Sequence, residues 1–119
     1  MNAAQRRRIL IVEDEPLVAM LLEDMIIDLG HEVVGPALRL ETAFDLVDAE
    51  RLDAAILDVN LGSGRSYSLA EKLAAKRIPF AFATGYGSPG MNWEERVPVL
   101  RKPFEQKAVN AVVADLLGG

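Results

Sequence analysis

Ile9-Leu10-Ile11-Val12-Glu13-Asp14-Glu15-Pro16 is the stretch on which the fold turns. Its first four residues are wholly apolar and mostly β-branched, which suits a short strand buried on both faces. Acids end the run. Pro16 then falls where a first helical position would be, with Asp14 and Glu15 just before it, as the positive end of a helix dipole favours. Val18, Leu22, Met25 and Leu29 recur at helical spacing, and Gly30 supplies the stop. The opening therefore reads strand, acidic turn, helix.

The same alternation continues down the chain. Glu32 to Gly35 reads as a second strand, and Glu41 to Ala49 as a helix with Ala43, Leu46 and Val47 inward. Ala54 to Leu57 is a third strand that ends at Asp58. Ser66 to Lys76 is a helix with Leu69 and Leu73 as its spine. Phe80 to Ala83 and Val99 to Arg101 are the fourth and fifth strands. Glu105 to Leu117 is the last helix, with Val109, Val112, Val113 and Leu116 apolar. Strands alternating with helices predict an α/β fold, a parallel sheet with helices on both faces. The stretch from Gly85 to Pro98 breaks the rhythm. Three glycines and two prolines in fourteen residues are poor helix material, so any helix there is short or marginal.

Composition narrows the function. A chain of 119 residues, half of them hydrophobic, is the size of one domain with a real core. The net charge of −5 argues against direct nucleic-acid binding, which needs a basic face. The one basic run, Arg6-Arg7-Arg8, reads as a solvated N-terminal arm. The lone histidine, His31, reads as a polar turn residue. With no cysteine, thiolate metal sites and disulfides are excluded. The longest apolar stretch, Leu17 to Ile27, is broken by Glu23 and Asp24 and falls short of the ~18 residues a membrane span requires. The expected location is cytoplasmic, with no membrane partner.

Ligands in open parallel sheets bind outside the carboxyl ends of the strands. Glu13 and Asp14 follow the first strand, Asp58 closes the third, Thr84 the fourth and Lys102 the fifth. Two carboxylates ~5 Å apart repel by about 3 kcal/mol at an effective dielectric of ~20, so three in one pocket call for a cation. Mg²⁺ suits them: it takes hard oxygen ligands and only one or two carboxylates directly. Asp14 and Asp58 can supply those, with Glu13 reaching the ion through a water. Asp58 is also a carboxylate of the kind that forms an aspartyl-phosphate. Phosphoryl transfer depends on positioning and charge neutralisation, which the metal, Lys102 and the Thr84 hydroxyl can provide.

These residues resemble the receiver domain of two-component response regulators over essentially the whole chain, 1–119. The resemblance is carried by the opening octapeptide, Leu57-Asp58-Val59-Asn60-Leu61, Thr84-Gly85 and Lys102-Pro103-Phe104. It implies a flavodoxin-like three-layer αβα fold whose five-stranded parallel sheet has the order 2-1-3-4-5. It implies that Asp58 is the phosphoacceptor, with Thr84 and Lys102 as its catalytic partners. It adds the backbone carbonyl of Asn60 to Glu13, Asp14 and Asp58 as a metal ligand for Mg²⁺, and a cis Lys102–Pro103 peptide. The implied partners are a sensor histidine kinase or phosphotransfer protein and a downstream protein. Pro79-Phe80-Ala81-Phe82-Ala83-Thr84-Gly85-Tyr86-Gly87 looks like the signature of the "FAT GUY" receivers, typically single-domain proteins. That likeness implies kinases of the HWE/HisKA2 type and a role in bacterial stress or envelope signalling.

Receivers typically carry an aromatic residue three positions before the lysine, and here that position is Val99. An ordering of Gly85 to Pro98, with Tyr86 as a substitute latch, is the expected readout. Met20 and Ile27 lie off the inward stripe of the first helix and are expected to dock the kinase. A protein that catalyses only its own phosphorylation and dephosphorylation is expected, not a turnover enzyme. The alternatives are a receiver fragment of a larger regulator or hybrid kinase, a phosphate sink, a scaffold, or a small Mg²⁺-dependent aspartyl-phosphate phosphatase. Met1 fits a natural start, and an end at Gly118-Gly119 suits either a whole protein or a fragment.

Overall fold

The structure, a computed structural model, describes residues 6–61, 64–85 and 96–118. In chain order the elements are β1 (Arg8–Val12), α1 (Pro16–Asp28), β2 (Glu32–Ala37), α2 (Leu40–Ala49) and β3 (Ala54–Asp58). Then come β4 (Asn60–Leu61), β5 (Gly64–Arg65), α3 (Tyr67–Ala75), β6 (Phe80–Thr84), β7 (Val99–Arg101) and α4 (Gln106–Leu116). β4 and β5 form a small antiparallel ribbon of their own. The main sheet is parallel, in the order β2-β1-β3-β6-β7. With the ribbon set aside, this is the expected 2-1-3-4-5 order of a flavodoxin-like fold.

Side-chain alternation explains the three layers. Leu10, Val12, Ala55, Leu57, Phe80 and Phe82 face α2 and α3. Ile9, Ile11, Ala54, Ile56, Ala81 and Ala83 face α1 and α4. Both faces are covered, so the central strands read as continuous apolar runs, not as alternating ones. Among the described residues, none of the helices α1 to α4 has a side-chain hydrogen bond at its N-cap. Short helices without caps are marginal alone, so these are held by packing on the sheet. Each fully buried leucine or isoleucine contributes roughly 1.5–3 kcal/mol to that packing.

The sequence expectations need four adjustments. β2 runs on to Ala37, through a cis Gly35–Pro36 bond. Pro36 is tolerated because β2 is an edge strand with β1 as its one partner. The buried centre of α1 is Ala19, Leu22 and Ile26, while Val18, Met25 and Leu29 pack as half-buried flanks. Arg8 is no solvated arm residue: its guanidinium meets Glu32 and Glu50 and donates to the Arg51 carbonyl. His31 is more than a turn residue, because its Nδ1 accepts the Arg7 backbone N–H at 3.2 Å. The Lys102–Pro103 bond is cis, as expected. Tyr86 and Trp93, with most of the Gly85–Pro98 stretch, lie outside the described residues.

Candidate functional site

Parallel register brings the strand ends to one edge. Val12 pairs with Leu57, Asp58 with Ala83 and Thr84 with Arg101, so the residues that end β1, β3, β6 and β7 share one rim. Glu13, just past β1, is pulled into this rim by its N–H, which donates to the Ala37 carbonyl at 3.0 Å. Gly35 makes that reach possible. Its φ is +94°, and a Cβ there would sit 2.6 Å from the Ala37 nitrogen.

Every site residue named from sequence lies on this rim. Asp14, Glu15, Asp58, Asn60, Thr84, Gly85 and Lys102 line an open cleft of 400 Å³. Glu13 is buried beside it, 2% exposed, with Asp58 at 7% and Thr84 at 5%. One carboxylate oxygen each from Glu13, Asp14 and Asp58 lie within 4.8 Å of one another. The Lys102 ammonium bridges two of them, 2.8 Å from Glu13 Oε1 and 3.3 Å from Asp58 Oδ2. The Lys102 backbone N–H donates to the Thr84 carbonyl at 3.0 Å, which ties the lysine to the end of β6. Backbone donors hold the remaining oxygens: Glu15 N–H reaches Glu13 Oε2 at 3.1 Å, and Asn60 N–H reaches Asp58 Oδ1 at 3.3 Å.

The electrostatics follow from this crowding. Burial pushes the Glu13 carboxyl up to about 7; the Lys102 hydrogen bond opposes the rise and the Asp58 charge adds to it. Burial alone would lower the Lys102 ammonium, but Glu13 and Asp58 together hold it above its ordinary value. Three hard-oxygen donors, one of them a carboxyl reluctant to ionise, are what a site short of positive charge looks like. The donor set fits a magnesium-like cation.

Sequence reasoning missed three contributors. The Ala37 carbonyl and the Glu15 N–H act through the backbone and have no side-chain signal. The apolar surface of α1 was under-read: beside Met20 and Ile27, Leu17 is 80% exposed and Leu21 is also exposed. Their spacing along the helix was a readable signal. Val18 and Leu21 also line an apolar hollow of 310 Å³ with Pro103, Phe104 and Lys102, so this surface adjoins the acidic cleft.

This fold and rim are those of a two-component signalling module. The chain belongs to the response regulator receiver domain family, whose profile matches residues 9–114. It is 34% identical over 114 residues to the phyllosphere-induced regulator PhyR of Methylorubrum extorquens, covering 92% of this chain and 43% of that protein. It is 36% identical over 108 residues to the transcriptional regulatory protein PdtaR of Mycobacterium tuberculosis, covering 87% of this chain and 53% of that protein. The chain thus spans about half the length of these curated relatives. Among solved structures, the BeF₃-activated conformation of SdrG from Pseudomonas melonis Fr1 superposes with a TM-score of 0.82 at 45% identity. That match covers 98% of this chain and 99% of SdrG.

Proposed function

We propose that the chain is a phosphorylation-switched receiver in which Asp58 accepts a phosphoryl group from a sensor histidine kinase or phosphotransfer protein. An Asp58 carboxylate oxygen attacks phosphorus, an O–P bond forms, and the N–P bond of the phosphohistidine breaks with its electron pair returning to the imidazole. Asn60 N–H and Lys102 hold the two Asp58 oxygens and orient the nucleophile. Lys102 carries the positive charge that the transferring group meets, and the Thr84 hydroxyl completes the set. Asp14, Asp58 and the Asn60 carbonyl would hold Mg²⁺, with Glu13 behind them. The ion, when bound, neutralises charge developing on the phosphoryl oxygens.

One observation carries this reading: three carboxylates and one lysine converge, largely buried, at the carboxyl edge of the sheet. Val59 and Asn60 after Asp58 offer no second acid or base, which disfavours a turnover phosphatase and supports a protein that acts only on itself. The exposed apolar face of α1 and the adjoining hollow suit the helix of a kinase. The Pro79–Gly87 motif supports a FAT GUY-type receiver with an HWE/HisKA2-type kinase in the cytoplasm, which answers stress by binding a downstream protein. The match to nearly all of the SdrG structure supports a receiver that switches by phosphorylation. The matches to parts of PhyR and PdtaR support a receiver within a larger regulator as the second reading.

Incubation with acetyl phosphate and Mg²⁺, followed by intact mass measurement, tests the core claim. The expected result is a gain of one phosphoryl group that Asp58→Asn abolishes. A gain that persists in Asp58→Asn would refute the assignment.

A further inference from the structure

Ser66 stands at the N-cap of α3 but makes no capping hydrogen bond. Serine is favoured at such positions because its hydroxyl can accept a hydrogen bond from an N–H of the first turn. Here the side chain is turned the other way. Ser66 is fully buried, and its hydroxyl donates to the Val59 carbonyl at 3.4 Å. The Ser66 backbone N–H donates to the same oxygen at 3.2 Å.

The far edge of that peptide group faces the acceptor. In a trans peptide the C=O and N–H point in opposite directions across one rigid plane. The carbonyl of the Val59–Asn60 peptide faces Ser66, and its N–H, that of Asn60, reaches Asp58 Oδ1 at 3.3 Å. On the near side, Val59 N–H is fixed to the Ala83 carbonyl at 3.1 Å. The carbonyl edge of the Val59–Asn60 plane is thus held by the Ser66 N–H and hydroxyl, and its N–H edge by Asp58; among these contacts the hydroxyl is the side-chain hold on the carbonyl edge.

We propose that Ser66 is a positioning residue for Asp58, acting through the Val59–Asn60 peptide: it trades the cap of α3 for control of the N–H that holds the acceptor carboxylate. The proposal rests on the receiver reading for its functional consequence, but not for its geometry. A bond of this size corresponds to about a fivefold effect.

The test compares wild type, Ser66→Ala and Ser66→Cys as full chains. NMR on the metal-free, unphosphorylated protein would follow the Asn60 amide proton and the Asp58 carboxyl carbon. In Ser66→Ala, the Asn60 amide is expected to shift upfield and exchange about fivefold faster, and the Asp58 carbon to move with it. Phosphorylation by acetyl phosphate at saturating Mg²⁺ should slow by a similar factor, with Ser66→Cys intermediate. A merely structural serine would lower the melting temperature and leave both signals and the rate constant within about twofold of wild type, which would overturn the proposal. If Ser66→Ala does not fold, Ser66→Cys decides on the same criteria. If wild type takes no phosphoryl group, the receiver reading fails, while the Asn60 and Asp58 signals still decide the role of Ser66.

Discussion

Replacing Glu13 with Gln should flatten a pH dependence of stability that the metal-free protein carries. Burial pushes the Glu13 carboxyl up to about 7 from an ordinary 4.5. Between those values the native state keeps a proton that the unfolded chain has released. Stability from this group is therefore full below pH 4.5 and is lost as the pH rises through about 7. The gap corresponds to about 3 kcal/mol, a large part of the stability of a domain this size. His31 works with the opposite sign in an overlapping window, because burial and Arg7 lower its value from 6.5. Asp53 and Asp48, with lowered values, lose their contribution only as the pH falls through the region below 3.8. Glutamine keeps the shape and an acceptor for Lys102, so the difference between wild type and Glu13→Gln isolates the one carboxyl. Urea unfolding in the presence of a chelator, from about pH 5 to about pH 8, measures it. Wild type should lose about 2 kcal/mol relative to the variant across that range, and saturating Mg²⁺ should restore most of it. Parallel pH curves for the two proteins would refute the account of Glu13 as a carboxyl held against its ionisation.

Other consequences follow from packing and surface. Phe82 is fully buried between Tyr67 and Phe80, with both ring pairs edge to face, so Phe82→Ala should cost about 3–5 kcal/mol in chemical unfolding. Gly35→Ala should cost about 1–3 kcal/mol, since its φ is +94° and its Cβ would meet the Ala37 backbone. A Gly35→Ala protein as stable as wild type would remove glycine from the account of how Glu13 is placed. Met20→Ala combined with Ile27→Ser should leave acetyl phosphate labelling unchanged and slow phosphotransfer from the cognate kinase by about tenfold or more, as loss of docking contacts would. An unchanged kinase rate would move docking off α1.

Most of the sheet was legible because its strands are buried on both faces, and a residue such as Leu10 or Ile56 announces that by being apolar among apolar neighbours. The rim was legible for the complementary reason: Glu13, Asp58, Thr84 and Lys102 are polar where those runs stop. β2 was cut short at Gly35 because glycine and proline punctuate a chain locally, while an edge strand obeys its one neighbour. The ribbon of Asn60–Leu61 with Gly64–Arg65 has two residues per strand, too few to show a period. Arg8 was misplaced because charge counts as surface in a sequence, whereas Glu32 and Glu50 meet it from β2 and the end of α2. Backbone donors such as Glu15 N–H leave no trace in residue identity at all.

Charge balance joins the two halves of the site. Glu13, Asp14 and Asp58 carry three negative charges when ionised, and Lys102 returns one, which leaves a deficit that a divalent cation would close. Burial raises the Glu13 carboxyl against the pull of Lys102, while Glu13 and Asp58 raise the Lys102 ammonium against its own burial. Lys102 is divided between Glu13, the nearer, and Asp58, the farther. A cation that takes Asp58 would leave the lysine with Glu13 and still within reach of a group arriving on Asp58. The lysine is held for that by its backbone bond to Thr84 and by the buried Phe104 two residues on. Two residues further, Gln106 Nε2 donates to the Met25 carbonyl of α1. The chain that places the positive charge therefore also grips α1, the helix whose outer face is apolar and exposed.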